Sequence, residues 1–148
     1  MRILLAVDDS NFSEAAIQAV IAQARSRDTE VRVLHVLEPP SLLLGREMRG
    51  YDPEFEGVWK ALREQAKAWV ERTTGTLHAS GFSATPSLEE GDPKSKIIDV
   101  AKEWKADLIV LGSHGRKGLE RFLMGSVADS VARHADCSVE IVRLPSAR

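Results

Sequence analysis

Three glycines and a serine near the end of the chain have the types and spacing suited to binding a phosphate. They occur as Gly112-x2-Gly115-x9-Gly125-Ser126, after the apolar run 108–111 and before a helical pattern. Glycine lets backbone N–H groups approach a ligand closely, and the first N–H groups of a helix are unpaired and carry a partial positive charge. Both effects favour an anion, so this segment is predicted to bind phosphate.

The spacing differs from that of the two best-known phosphate loops. A Walker loop needs Gly-x4-Gly-Lys-Ser/Thr and a dinucleotide fingerprint needs Gly-x-Gly-x-x-Gly, and neither pattern occurs in this chain. The same segment contains Ser113 and His114, a pair that invites comparison with hydrolases. We do not expect one, because the Gly-x-Ser-x-Gly nucleophile elbow is absent and adjacent side chains rarely face each other.

Strands and helices that position this segment can be predicted from the apolar pattern. Five short apolar runs are typical of buried strands, at residues 3–7, 31–37, 84–89, 108–111 and 139–144. Helical spacing follows the first, second and fourth runs, at residues 11–27, 54–80 and 126–135, and a further helix is predicted to begin at Pro93 after its cap, Asp92. Residues 41–53 have no clear pattern.

Two helices allow more detailed predictions. Asn11 is predicted to cap the first helix, with Glu14 three residues later. The long helix 54–80 is predicted to turn one apolar stripe inward. This stripe consists of Val58, Leu62, Ala66, Trp69, Thr73 and Leu77.

Strands that alternate with helices predict an α/β fold, a single-domain three-layer α/β/α sandwich over residues 1–148. With right-handed crossovers, the five-stranded parallel sheet is expected to have the order 3-2-1-4-5. Ligands of such sheets bind beyond the carboxyl ends of the strands, where the chain reverses direction between strands 1 and 4. Asp8 follows strand 1 and Gly112 follows strand 4, so the fold and the glycine pattern predict the same site.

Composition excludes several classes of partner. The 20 basic and 22 acidic residues give a net charge of −2, which provides no global attraction to nucleic acid or to acidic membranes. No signal peptide and no membrane-spanning run is found, so we expect a cytoplasmic protein. The single cysteine, Cys137, cannot form an intrachain disulfide and is expected to be a small buried thiol. The histidines lack the local spacing of a zinc site.

The glycine pattern and the rest of the chain resemble the universal stress protein family, in particular its ATP-binding subgroup. The resemblance covers the opening 3–10, the strand 33–36, the turn 90–93 and the segment 107–126. It implies a Rossmann-like fold of the adenine nucleotide alpha hydrolase-like type, with ATP as the ligand.

The resemblance also implies a role for individual residues. Adenine would lie against Ala6 and Val36, and Asp8 would face the ribose hydroxyls. Four residues would surround the phosphates: Gly112, Gly115, Gly125 and Ser126. The backbone of Val127 would add a further contact. Two alternatives stay open: Asp8 as a cap of the turn after strand 1, and the glycines as ordinary turn residues.

The chain departs from the family pattern in places that affect metal binding and assembly. Asp9 stands where glycine is common, and its charge close to a triphosphate would be offset by Mg²⁺. Family members commonly form homodimers through the fifth strand, and an exposed sheet edge suits that association. Ser138 and Glu140 depart from the pattern there, and the charge of Glu140 opposes pairing. The basic residues of the glycine segment, Arg116, Lys117 and Arg121, are expected to be solvated.

We therefore expect an ATP-binding regulatory or protective protein of the stress response, which acts through nucleotide-dependent contacts with a protein partner that the sequence does not identify. One alternative is a slow ATP hydrolase or phosphoryl-transfer enzyme, although no general base is evident near the loop and no catalytic residue is assigned. Another is a dimeric interaction module that binds no nucleotide. It ranks lower, because this chain retains every position of the glycine pattern.

Overall fold

The computed structural model describes residues 1–39, 53–114 and 124–144. Residues 41–52, most of the segment without a clear sequence pattern, lie outside them. The strands are β1 Arg2–Ala6, β2 Glu30–Leu37, β3 Ser83–Glu90, β4 Leu108–Gly112 and β5 Ser138–Val142. The helices are α1 Asn11–Gln23, α2 Pro53–Ala79, α3 Pro93–Trp104 and α4 Ser126–His134, with a short 3-10 helix at Ser26–Asp28.

All five strands are parallel and lie in the order β3-β2-β1-β4-β5, which confirms the predicted topology. The central strand β1 pairs with two neighbours, so that Ala6 lies beside Leu34 on one side and beside Leu111 on the other. The final strand is shorter than predicted, since it ends at Val142 rather than at residue 144.

Helices cover both faces of the sheet and define two apolar layers. Side chains alternate along a strand, so Leu5 faces the layer of α1 and α2, while Leu4 and Ala6 face the layer of α3 and α4. The three-layer α/β/α arrangement is therefore confirmed. None of the helices in the described ranges combines the length and the apolarity that crossing a bilayer requires.

Two predictions about helices are wrong in detail. The cap of α1 is Ser10 rather than Asn11, because the Ser10 hydroxyl accepts a hydrogen bond from the backbone N–H of Ser13. The helix also ends at Gln23, and residues near Arg27 form the separate 3-10 helix. Serine and asparagine cap equally well, so the sequence could not decide between adjacent positions.

The inner stripe predicted for α2 is correct only in its second half. Ala66 and Leu77 are buried, but Val58 is 58% exposed and Leu62 is 37% exposed, while Trp59 is buried instead. Two helical turns span about 7.2 residues, so the residue seven positions before Ala66 shares its face, and the residue eight positions before it is rotated by about 80°. Trp59 occupies the first of these positions and Val58 the second.

Candidate functional site

The carboxyl ends of β1 and β4 lie side by side and bring the two predicted parts of the site together. Since Ala6 is paired with Leu111, Asp8 lies two residues beyond the paired end of β1, and Gly112 lies one residue beyond that of β4. The start of α4 is held at the same place, because the Gly125 N–H donates a 2.7 Å hydrogen bond to the Ser113 carbonyl.

The carboxylate of Asp8 is held by the first turn of α1. Its Oδ1 accepts a 2.9 Å hydrogen bond from the Ser10 N–H and another of 2.9 Å from the Ser13 hydroxyl. The turn-capping role that the sequence left open is therefore present. Both of these bonds use Oδ1, so within the described residues Oδ2 is left for a ligand. Capping and ligand binding are compatible, because they use different oxygens of one side chain.

The two residues predicted to contact adenine share one face of the sheet. Ala6 is 8% exposed and Val36 is 9% exposed, and both belong to the apolar layer of α3 and α4. Val36 lies two residues beyond Leu34, the neighbour of Ala6, so the pair forms an apolar floor near the strand ends. A flat, apolar ring matches such a floor better than a charged group does.

The close packing of α1 against the end of β4 requires glycine at position 112. A Cβ atom at this position would lie 2.7 Å from the Phe12 Cβ and 2.9 Å from the Phe12 carbonyl carbon. Contacts this short include backbone atoms, so a side-chain rotation cannot relieve them. The absence of a side chain at Gly112 therefore allows α1 to pack against the end of β4.

Gly125 allows an equally close approach. A Cβ atom there would lie 2.9 Å from the Ser113 carbonyl oxygen and 3.1 Å from the His114 Cα. Both described glycines of the pattern thus have a structural reason to be glycine, independent of any ligand. The predicted contacts of Gly112 and Gly125 with phosphate remain predictions.

The start of α4 is a suitable place for an anion. Gly125 is its N-cap and supplies no side-chain hydrogen bond, and the intrahelical ladder begins with the Asp129 N–H donating to the Gly125 carbonyl. The N–H groups before Asp129 carry the partial positive charge of the helix start. Ser126 is exposed and Val127 is half-buried, so a hydroxyl and backbone amides are available at one point.

Ser113 and His114 do face each other, contrary to the prediction. The Ser113 hydroxyl lies 3.1 Å from His114 Nδ1, and the His114 ring packs 5.1 Å from the Phe12 ring. A rule for adjacent residues takes no account of such a contact with a residue distant in the sequence. Ser113 is only 5% exposed, so its hydroxyl is not presented to a substrate as a nucleophile would be.

Several candidate residues cannot be placed. Gly115 and the basic residues Arg116, Lys117 and Arg121 lie outside the described residues. Asp9 is described and is exposed beside Asp8. Within the described part of the chain, no group of three or more His, Cys, Asp or Glu side chains could hold a metal ion by itself.

Ser13 and Phe12 are the residues of this region that the sequence reasoning missed. Ser13 is 4% exposed and hydrogen-bonded to Asp8, and Phe12 contacts both Gly112 and His114. A serine three residues after the Ser10 cap, on the inner face of a helix, was the available signal. A polar residue in that position needs a buried partner.

The parallel sheet, its strand order and the helices on both faces define a doubly wound α/β protein of the Rossmann-like kind. Residues 1–143 match the sequence model of the universal stress protein family. Universal stress protein MJ0531 of Methanocaldococcus jannaschii is 32% identical over 144 residues, which cover 97% of this chain and 82% of that protein. Universal stress protein Sll1388 of Synechocystis is 30% identical over 149 residues, with 96% and 97% covered. The chain belongs to the universal stress protein family.

Solved structures agree with this assignment. Hypothetical protein MJ0577 matches with a TM-score of 0.86 and 27% identity, over 99% of this chain and 97% of that one. Universal stress protein UspA from Lactobacillus plantarum matches with a TM-score of 0.84 and 26% identity, over 97% of both chains. An Arabidopsis thaliana family member with AMP bound has a TM-score of 0.72 and 20% identity, over 99% of this chain and 93% of that one. At that identity, the last comparison shows a shared fold.

Proposed function

We propose that this protein binds ATP in the crevice between the ends of β1 and β4, and that the bound nucleotide alters its contacts with a protein partner in a cytoplasmic stress response. One observation carries the proposal. Asp8 and the start of α4 lie at neighbouring strand ends of the switch point. The Asp8 carboxylate is held through Oδ1, and no side chain of the described residues caps the start of α4.

The nucleotide can be fitted to this crevice group by group. Adenine rests on the apolar floor of Ala6 and Val36, and Asp8 Oδ2 accepts hydrogen bonds from the ribose hydroxyls. The phosphates meet the N–H groups at the start of α4, the Ser126 hydroxyl and the Val127 amide. AMP in the Arabidopsis thaliana relative, and cAMP in another universal stress protein, support an adenine nucleotide as the ligand class.

The triphosphate is proposed to bind with Mg²⁺. Carboxylate and phosphate oxygens are ligands that this ion prefers, and it is commonly held by one or two carboxylates together with phosphates. Asp9 is exposed next to Asp8 and can supply one such oxygen, so the residues present fit a shared ion rather than a protein-only metal site. The ion would offset repulsion between Asp9 and the phosphates.

Isothermal titration calorimetry with ATP, ADP and AMP tests the proposal, each with and without Mg²⁺. We expect ATP to bind with a dissociation constant on the order of micromolar, which corresponds to roughly 8 kcal/mol, and more tightly with Mg²⁺ than without it. ADP and AMP should bind more weakly as phosphate contacts are lost. No heat and no shift in melting temperature at millimolar nucleotide would contradict the proposal.

Assembly is proposed to involve β5, because the two edge strands differ. The β3 edge contains Pro86, which lacks an N–H group, and the charged residues Glu89 and Glu90 near its end. Such features protect an edge from pairing. The β5 edge contains no proline and one charge, Glu140, so it is the better candidate for joining two chains into a homodimer. Sedimentation equilibrium should give twice the chain mass, and a monomer at high micromolar concentration would refute this part.

A further inference from the structure

The hydroxyl of Ser13 contacts Asp8 twice and closes a small ring of hydrogen bonds. It accepts a 2.7 Å bond from the Asp8 N–H and donates a 2.9 Å bond to Asp8 Oδ1. Ser13 is 4% exposed, so these bonds are shielded from water. A serine hydroxyl has one proton to donate, and here it is given to the carboxylate.

This ring determines which oxygen of Asp8 remains for a ligand. Oδ1 receives two donors, the Ser13 hydroxyl and the Ser10 N–H, so rotation of the carboxylate would break both bonds. A carboxylate held in one orientation loses less rotational freedom when it accepts hydrogen bonds from a ligand. The buried hydroxyl therefore prepares Oδ2 for binding before any ligand arrives.

The same turn of α1 also contacts the other half of the site. Phe12, the residue before Ser13, packs against the backbone of Gly112 and the ring of His114. Movement of this turn would disturb both strand ends together, so the turn that contains Ser13 is held on two sides. Its position is fixed by packing rather than by its own hydrogen bonds alone.

We propose that Ser13 is a positioning residue that makes the site selective for ribose, through its hydrogen bond to Asp8. The inference rests on the proposed function, since it concerns the sugar of the same nucleotide. Ser13 is not proposed to touch the ligand. It acts by holding Oδ1, so that Oδ2 accepts from the ribose hydroxyls in one geometry.

The test compares ATP with 2′,3′-dideoxy-ATP, which lacks both hydroxyls but keeps the base and the phosphates. For the wild-type protein, calorimetry should give at least about tenfold tighter binding of ATP, the lower end of the effect of a hydrogen bond to a charged group. Ser13→Ala should reduce this preference to about threefold or less, mainly by weakening ATP binding. A purely structural role for Ser13 would weaken both nucleotides equally, and an unchanged ratio would overturn the inference.

Ser10→Ala is the matched control. It removes a hydroxyl from the same turn and takes away the side-chain cap of α1, yet it leaves the Ser10 N–H bonded to Asp8. The preference for ATP should therefore stay near the wild-type value. A loss of preference as large as that of Ser13→Ala would show that general loosening of the turn is the cause, and would overturn the inference.

A double-mutant cycle tests whether Ser13 acts through Asp8. In an Asp8→Asn background, Ser13→Ala should leave the ratio of the two affinities unchanged, because the group it orients is already altered. A further drop would contradict the inference. If Ser13→Ala does not fold, Ser13→Cys is the second variant, since it keeps a side chain of similar size with a weaker hydrogen-bond donor. It should also lower the preference for ATP over 2′,3′-dideoxy-ATP, and an unchanged preference would contradict the inference.

Failure of this inference can be told from failure of the proposed function. Wild-type protein that binds neither nucleotide would refute both. Wild-type protein that binds both equally would refute the roles of Asp8 and Ser13 in sugar selection, but would leave ATP binding intact. Selective wild-type binding with a fully selective Ser13→Ala variant would refute the inference alone.

Discussion

The two halves of the candidate site are held together by different kinds of contact. In the β1 half, formed by Asp8 and the first turn of α1, side-chain hydrogen bonds fix a carboxylate. In the β4 half, formed by residues 112–114 and the start of α4, close backbone contacts require glycine at two positions. The structural role and the proposed binding role thus fall on two oxygens of one residue in the first half, and on different residues in the second.

This difference determines which substitutions report on binding. A change at Gly112 or Gly125 disturbs backbone packing, so it measures folding together with any loss of ligand contacts. Ser126→Ala removes an exposed hydroxyl, and Asp8→Asn keeps an oxygen that can accept the bonds from Ser10 and Ser13, so these two changes measure binding more directly. Testing the glycine pattern by replacing Gly125 with a bulky residue would therefore confuse the two effects.

The largest effect should come from Gly112→Ala, which tests the claim that glycine is needed for packing in the β4 half. The new methyl group would lie 2.7 Å from the Phe12 Cβ, and backbone movement is needed to relieve this. We expect a loss of about 2–3 kcal/mol in the free energy of unfolding, the upper part of the range for overpacked positions. Urea denaturation without nucleotide measures it.

Gly75→Ala is the matched control for that substitution. Gly75 lies inside α2, and a Cβ there would meet no atom within 4 Å. Alanine should raise the free energy of unfolding by about 0.5–1 kcal/mol, because glycine is unfavourable in a helix interior. If both alanine variants had the same stability, close packing would not explain Gly112.

Asp8→Asn should produce the next largest effect, and it tests the β1 half. The amide keeps the shape of the side chain but removes the charge that strengthens hydrogen bonds from ribose. ATP affinity should fall by about 1.5–3 kcal/mol, the range for hydrogen bonds to charged groups. Calorimetry measures the change.

Asp9→Asn is the control for this substitution. Without Mg²⁺ it should leave the affinity for ATP unchanged or raise it slightly. Equal losses of ATP affinity at both positions would argue against a specific role for Asp8.

A smaller effect is expected from Ser126→Ala at the start of α4. The hydroxyl is one of several donors proposed for the phosphates, and its loss should cost about 1 kcal/mol of ATP binding. Ser130→Ala, one turn later in the same helix, should have no effect on affinity. If the two variants bind ATP equally well, the Ser126 hydroxyl contributes nothing to ATP binding, and its proposed role is contradicted.

The smallest effect concerns Cys137, which lies outside both halves and serves as a reference. The prediction that this thiol is buried is wrong, because Cys137 is only partly buried beside the end of the sheet. Partial burial, followed by the negative charges of Asp107 and Asp136, raises the pKa of this thiol above its ordinary value. A thiol with a raised pKa stays neutral at pH 7, so alkylation should be slower in the folded protein than in urea. Stability linked to this group is present at neutral pH and is lost as pH rises above the unfolded value. Equal alkylation rates in folded and unfolded protein would contradict this.

The parts of the fold that follow from periodicity could be predicted from the sequence. The strand order was predicted from five apolar runs and from the right-handedness of crossover connections, and the structure confirms it. The exposure of Val58 could not be predicted from a stripe of residues three or four positions apart. A helix has 3.6 residues per turn, so such a stripe shifts away from the buried face over several turns. The strand order puts Asp8 and Gly112 at neighbouring strand ends, as predicted, because a switch point depends on topology alone; ligand binding there stays a prediction.

Contacts between residues distant in sequence were beyond such reasoning. The dependence of Gly112 on Phe12 involves 100 positions of separation, and no local pattern indicates it. The contact of Ser113 with His114 was missed because a rule for adjacent residues takes no account of distant neighbours, such as the Phe12 ring that packs against the imidazole. Ser13 was missed because Asp8 was considered as a ligand-binding residue and as a cap of the turn, but not as the partner of a buried side chain of α1.

A crystal structure of the full chain grown with ATP and Mg²⁺ tests the central claim most directly. We predict adenine against Ala6 and Val36, ribose hydroxyls within hydrogen-bond distance of Asp8 Oδ2, and phosphates at the N–H groups of Ser126 and Val127. The account would be contradicted by nucleotide bound elsewhere on the protein, or by a crevice that holds no nucleotide at saturating ATP.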